Sequence, residues 1–354
     1  MKFRKSLAFL MVSASLLTAC SGGEKNEAAP AKEEPKQLVV STFALGEDEV
    51  NADIIQPFEE ANNCEIILET GNGGDRYTKF SSNPNSGIDV IELAQNTNAQ
   101  AVEANLFEQL DATKVPNLDS LIAPAAELAQ NGYGAPFVVN SLGIVYNPEQ
   151  AGMEIDEWSD LWDSSLAGKI AIPDMTITYG PHMLHVASDY AKTDITSDNG
   201  AAAFKALEEL KPNVLKTYTK SSDLANMFQT GEISVAVVGD FALPVIYKAQ
   251  PDLVYVVPQS GTYANFNIIN VSATSANKEL AYEYVNWRIS EQVQAKTALS
   301  LNETPTNKNV QLDEATAKNK TYGDVAERAK SIDSSFVNKN LDEWINQWNR
   351  IMNQ

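Results

Sequence analysis

The sequence predicts an α/β protein of two lobes, and three observations predict it. Strand-like runs rich in Val, Ile and Leu alternate with stretches of helical spacing, the pattern of a largely parallel sheet. The part that can fold, from Gln37 onward, is about 318 residues long, more than one core usually organises. Two long extended segments, at about 137–146 and 265–272, are long enough to leave one lobe and enter another.

The elements follow in order. "QLVVSTF" (37–43) is a short β-rich run. Val50, Ile54, Ile55, Phe58 and Ala61 recur at helical spacing. "CEIILETG" (64–71) reads as a second strand ended by glycines, and a helix follows from Asp75, or the turn before it, through Phe80. "IDVIEL" (88–93) is a third strand, followed by the helical "TNAQAVEANLF". The first long extended segment lies within "GYGAPFVVNSLGIVYNP" (132–148). "EWSDLWDSSLAGKIAIPD" (157–174) gives a short helix, a loop and a strand ending at Asp174, then a helix spans about 181–191. "AAAFKALEEL" is a helix, and "DLANMFQTGEISVAVVGDFALPVIY" reads as helix, stop at Gly231, strand 233–238, acid-bearing turn and helix. "LVYVVP" is a strand, "NFNIINVSA" the return crossing, and "NKELAYEYVNWRISEQVQAKTAL" one long amphipathic helix. The tail "NLDEWINQWNRIMNQ" is a helix with Leu341, Trp344, Ile345, Trp348 and Ile351 on one stripe.

What precedes the fold is an export segment. Lys2, Arg4 and Lys5 lead into an apolar run of about 7–17, the layout of a signal peptide (1–19) and too short for a lasting span. Leu17-Thr18-Ala19-Cys20 resembles a bacterial lipobox, which implies cleavage before Cys20 and its lipidation. "SGGEKNEAAPAKEEPK" (21–36) lacks large apolar residues and reads as a flexible tether. The formal charge is −21, and loss of the three signal cations takes it to −24. Such a surface repels nucleic acid and anionic lipid. With Cys20 lipidated, Cys64 is the remaining thiol, so neither an intramolecular disulfide nor a zinc-type Cys cluster can form.

Enzyme chemistry finds little to work with. His182 and His185, the two histidines of the chain, share a helical face. A zinc enzyme wants three protein ligands or H-E-x-x-H, and a serine hydrolase of the elbow type wants G-x-S-x-G; neither pattern occurs. No cofactor, metal site or catalytic residue is expected.

The order of lipobox, tether, α/β lobe, crossing strand, "EWSDLWDSSLAGKIAIPD", "LKPNV", "TGEISVAVVGD", "SANKELAYEYVNW" and "ETPTNKNV" resembles the extracellular solute-binding proteins of ABC importers, in the spermidine/putrescine-binding branch. The resemblance covers essentially the whole mature chain. It implies a two-lobe periplasmic-binding-protein-like (type II) fold, with ligand trapped in a cleft between the lobes. It also implies a monomer that delivers a small solute to ABC permease subunits. Receptors for iron, thiamine or phosphonate share much of the layout and stand as alternatives, as does, from another class, a metal-dependent surface hydrolase. The expected lobes are 37–139 with 268–300, and 140–267, with a C-terminal loop and helices (301–354) packed on both.

In parallel α/β sheets ligands lie beyond the carboxyl ends of strands, and a cleft takes polar groups from both sides. The first lobe offers Thr42, Phe43, Asn72, Asp75, Gln95 and Asn96. The second offers Asp174, Thr176, Thr178, Tyr179, Gly239 and Asp240, with Tyr263, Asn265 and Asn267 near the return crossing and Thr304 and Asn307 in the late loop. Asp174 stands where the resemblance places a carboxylate that contacts an amine; as a helix cap it would serve equally well. Tyr179 suits stacking on a cation or packing. Asp240 suits ligand contact or capping. Polyamine binders carry tryptophan near Gly239, and tryptophan and aspartate near Asn265 and Asn267. Only one end of the cleft therefore looks acidic, which fits one amine or a zwitterion better than a long dication. Arg76 suits a carboxylate or phosphonate, although "DRYTKF" reads as a helix on which a solvated Arg is the preferred expectation.

Overall fold

The computed structural model describes residues 35–44, 46–130 and 132–353. Cys20, the signal peptide and most of the tether lie outside the described residues. From Lys36 onward the chain forms one compact unit.

Ten strands form one sheet: β1 Lys36–Phe43, β2 Cys64–Gly71, β3 Val90–Ala94, β4 Ala135–Tyr146, β5 Ile170–Pro173, β6 Val214–Tyr218, β7 Val235–Gly239, β8 Val254–Val256, β9 Thr262–Val271 and β10 Ala329–Ser331. The order is β2-β1-β3-β9-β4-β7-β5-β6, with β10 on β9 and β8 on β4. β1 runs parallel to β2 and β3, and β5 parallel to β6 and β7. At the centre β9 is antiparallel to β3 and β4, and β4 antiparallel to β7. The two long extended segments are thus the two antiparallel strands that join the parallel halves.

The core changes hands along these two strands. Phe137, Val138 and Val139 of β4 pack with Leu38, Val40, Val90 and Tyr284, whereas Leu142, Ile144 and Tyr146 pack with Ile172, Met183, Leu207 and Val237. In β9, Tyr263 belongs to the second group and Ala264, Phe266 and Ile268 to the first. The switch falls at residues 140–141 and 263–264.

Local chemistry explains most boundaries. The chain is helical over 47–62, with a π-helical stretch Asn51–Ile55. Asn63 stops it at φ 47, a left-handed conformation that Asn tolerates, and β2 starts at once. The expected helix over 277–299 is two helices, Lys278–Arg288 and Glu291–Ser300. Ser290 is extended (ψ 152) and its side chain accepts from Val293 N, capping the second helix. The final helix, Ser334–Met352, buries Trp344, Trp348 and Met352 on one stripe, and those side chains complete the second core.

Candidate functional site

Register assembles a polar row across the sheet centre. Ala94, the last residue of β3, pairs with Asn267. Asn265 pairs with Asn140 of β4, and Leu142 pairs with Gly239, the last residue of β7. Paired residues share a face, as do i and i+2 on a strand. Asn265, Asn267 and Asn140 therefore project on one side, between Gln95 and Asp240. Gln95 N donates to Asn265 Oδ1 at 3.4 Å, Asn265 Nδ2 to Asn267 Oδ1 at 3.1 Å, and Asn140 Nδ2 to Asp240 Oδ1 at 2.8 Å. Thr304 joins at β4, where its carbonyl accepts from Val139 N at 3.2 Å.

Tyr179 closes the Asp240 end. Its ring stacks on Phe241 with centroids 6.0 Å apart. Gly239 makes room: a Cβ there would lie 2.6 Å from Tyr179 Cε2 and 2.8 Å from Phe241 Cε1. Asp240 is 2 % exposed. It accepts from Thr321 N at 2.9 Å and Thr321 Oγ1 at 2.7 Å, besides Asn140. Burial pushes its carboxyl up to about 6, against these hydrogen bonds and the nearby Lys320 ammonium. Burial, with Asp240 adding to it, also raises the Tyr179 phenol.

Four atoms along this row are buried without a protein partner: Gln95 Oε1, Asn96 Oδ1, Tyr179 OH and Thr304 Oγ1. Buried polar groups are nearly always satisfied, so these four oxygens are free to accept from a polar small molecule; further unpartnered buried atoms, Ser86 Oγ and Ser234 Oγ among them, lie elsewhere in the fold.

Other expected residues are engaged elsewhere. Asp174 is a turn former: Oδ1 accepts from Thr176 N at 3.0 Å and Thr176 Oγ1 at 2.6 Å, and Oδ2 from the Trp348 indole at 3.3 Å. Thr178 offers its carbonyl to His182. Asn72 caps the helix Gly73–Ser82 by accepting from Gly74 N at 3.0 Å, and Asp75 is exposed on its first turn. Thr42 donates to Glu92 Oε2 at 2.6 Å, within a buried chain that continues to Arg288 (3.2 Å) and Glu303 (2.5 Å). Asn307 holds the carbonyl of Ile289.

One expectation needs correction. Arg76 is not solvated but 6 % exposed. Its Nη1 donates to Ser41 O (3.2 Å), Ser41 Oγ (3.3 Å) and Glu92 O (2.9 Å), and its Nε to Gly71 O (3.2 Å). It lies over the Phe43 ring, 4.6 Å from the centroid. It ties together the strand ends where the β1–β3 ladder stops after Ser41↔Ile91. The two histidines share a helix, Gly180–Tyr190, as the spacing predicts, and bond to main-chain oxygens. His182 Nδ1 lies 2.9 Å from Thr178 O and Nε2 3.1 Å from Ala264 O, which locks the start of its helix to β9. Burial pulls its pKa down to about 4.

A separate cavity of about 480 Å³ is lined by His185, Asp189, Tyr263 and Lys330, among others. Asp189 already accepts from Tyr263 OH at 2.9 Å and pairs with Lys330 at 3.0 Å, and none of the row residues borders it. We place the site at the row, because register brings its amides together there and four of the fold's unpartnered buried atoms lie along it. Among the described residues no group of three or more His, Cys, Asp or Glu is placed to hold a metal ion, and no helix is long and apolar enough to cross a membrane.

A family model described as bacterial extracellular solute-binding protein matches residues 53–323. The chain belongs to that family. A crystal structure of an ABC transporter from Clostridium perfringens ATCC 13124 is 51% identical, with TM-score 0.80, covering 89% of this chain and 99% of that one. Among curated relatives, the putrescine-binding periplasmic protein SpuD of Pseudomonas aeruginosa is 22% identical over 70% of this chain and 73% of its own length. The fold is shared with the spermidine/putrescine substrate-binding protein PotD of Streptococcus pneumoniae, at TM-score 0.73 and 16% identity over 88% of this chain and 99% of that one. As a family member the chain is the solute-binding component of an ABC transporter: it binds a small molecule and passes it to a permease. The α/β fold is that of the periplasmic binding proteins.

Proposed function

We propose that the bound solute is a small amine-bearing molecule, polyamine-like or a short amino acid or other zwitterion, held between two lobes that close on it. The observation that carries this reading is the set of unpartnered buried oxygens on Gln95, Asn96, Tyr179 and Thr304. An ammonium donates three hydrogen bonds and accepts none, so amide and hydroxyl oxygens are suitable partners. Tyr179 and Phe241 supply ring faces for a cation or an alkyl chain. The named ligands of several relatives are amines: putrescine for SpuD, and GABA for a receptor of the same fold at 17% identity. The lobes in this reading are 37–139 with 268–300, and 140–267, with the remaining residues packed on both. The change of core along β4 supports the first boundary, and the change along β9 moves the second toward 263–264. Ligand free energy would shift the open–closed equilibrium, and the permease would read the closed form. The protein would act as a monomer without catalysis, tethered outside the cytoplasm by a lipid on Cys20.

A thermal-shift panel of putrescine, spermidine, 4-aminobutyrate, amino acids, thiamine, aminophosphonates and ferric iron tests the reading. A ligand at 100 times its Kd should add about 2.7 kcal/mol of stability. Stabilisation by none of the amines would refute it. Cys20→Ala should release the protein from the membrane fraction, and retention there would refute the anchor.

A further inference from the structure

We infer that Arg76 binds an anionic group of the solute, so that the ligand class is a short zwitterion carrying an ammonium and a carboxylate. This rests on the amine-receptor reading above and narrows it. The Arg76 guanidinium is buried, yet it forms no ion pair with a carboxylate: the nearest acid, Glu92, gives its side-chain oxygens to Thr42 and Arg288. Main-chain carbonyls and Ser41 Oγ take Nη1 and Nε, and Nη2 has no partner among the described residues. The clamp on the strand ends explains the engaged nitrogens. It does not explain a full positive charge there, since a neutral amide could tie carbonyls together without the cost of burying a cation. Burial brings the pKa to about 10, so the group stays charged at neutral pH.

The location suits a ligand contact. Gly71 ends β2, Ser41 is two residues from the end of β1 and Glu92 two from the end of β3, so the guanidinium caps the carboxyl edge where α/β sheets bind ligands. A guanidinium with a free nitrogen matches a carboxylate in charge and geometry. The unpartnered acceptors on Gln95 and Asn96 begin three residues beyond Glu92, at the start of the helix Gln95–Glu103 that follows β3. Donor and cation stand at one end and acceptors at the other, which complements a zwitterion. A diamine would set one ammonium against Arg76.

Titration calorimetry on the unmodified protein decides the matter. The probes are glycine, β-alanine, 4-aminobutyrate and 5-aminovalerate, each beside its carboxamide, with diaminopropane and putrescine as diamines. The best acid should bind at least ~10-fold more tightly than its amide and than the diamines. Arg76→Met should weaken the acid at least ~10-fold and leave the amide within threefold, with Arg76→Lys intermediate. An amide or diamine that binds as tightly as the acid overturns the inference, as does a variant that weakens acid and amide equally. If Arg76→Met does not fold, the acid–amide ratio on the unmodified protein decides alone. Binding of diamines only overturns the carboxylate while the amine-receptor reading stands; binding of no probe and no other amine overturns both.

Discussion

Acid should stabilise this protein through Asp240, the opposite sense to Asp111, Asp163, Asp194, Asp313 and Asp324, whose carboxyls are held below the ordinary range by hydrogen bonds. The Asp240 carboxyl titrates at about 6 in the fold against an ordinary 3.8, chiefly because it is buried. A folded-state pKa above the unfolded one means that the native state takes up the proton first. The resulting stabilisation is fully present below pH 3.8 and is lost as pH rises through about 6. About two units at 1.36 kcal/mol each set a ceiling of about 3 kcal/mol, most of it gained between pH 7 and pH 4. Asp240→Asn removes the titration and keeps the shape. Its amide oxygen can still accept from Thr321 N and Oγ1, and the Asn140 amide can turn to present its own oxygen. The static effect of the substitution cancels when one molecule is compared with itself at two pH values. Urea midpoints for both proteins at half-unit intervals from pH 7 to pH 4 should show the unmodified protein gaining about 2–3 kcal/mol on the variant. Curves that stay parallel within about 0.5 kcal/mol would refute the burial argument.

The other predictions use the same measurements. His182, held near 4 by burial against an ordinary 6.5, binds its proton less readily when folded. Its contribution is present above pH 6.5 and is lost as pH falls toward 4, by up to about 3 kcal/mol, so His182→Asn should flatten the acid limb of the stability curve. Gly239→Ala puts a Cβ 2.6 Å from the Tyr179 ring; it should cost about 1–3 kcal/mol by overpacking and weaken the solute by displacing Tyr179, and a neutral result on both counts would remove Tyr179 from the site. Asp174→Asn keeps an oxygen for the Thr176 turn but loses the acceptor for the Trp348 indole, so it should lower stability by about 0.5–1.5 kcal/mol and leave affinity within threefold. A tenfold loss of affinity at unchanged stability would return Asp174 to the ligand.

The parts of this fold that were legible in the sequence are those set by neighbours in the chain. β2 could be read because "CEIILETG" is a β-rich run closed by glycine, and the helix Ala201–Leu210 because its apolar positions keep helical spacing. β6 carries no clear sequence signal, since its five residues, VLKTY, show no apolar–polar alternation and Leu215 and Lys216 are both exposed at the sheet edge. β10 is three residues long and exists because β9 is there to pair with it. The site divides in the same way. Gln95 and Asp240 are readable as residues just past strand ends, and Asn265 and Asn267 as amides near the return crossing. Asn140 carries no such signal, because its place in the row depends on register with Asn265. The burial of Arg76 depends on carbonyls at Ser41 and Glu92, 35 and 16 residues away, and the cap on Asp240 comes from Thr321, 81 residues away. No local pattern encodes such contacts.

The last helix, Ser334–Met352, has a consequence for how the chain becomes a receptor. Its tryptophans fill the second core, while Asn338 near its start donates to Asn96 O and accepts from Gln100 at 3.0 Å each, across 242 and 238 residues. Contacts of such sequence separation form late, because the long loop between them must first be closed. The backbone beside one of the proposed ligand atoms is therefore held by a segment 242 residues further along the chain. Shortening the chain before Trp344 should cost on the order of 3–5 kcal/mol for each tryptophan lost. Solute competence should then be acquired in the final step of folding, and refolding followed by ligand binding should lag behind refolding followed by overall helix content.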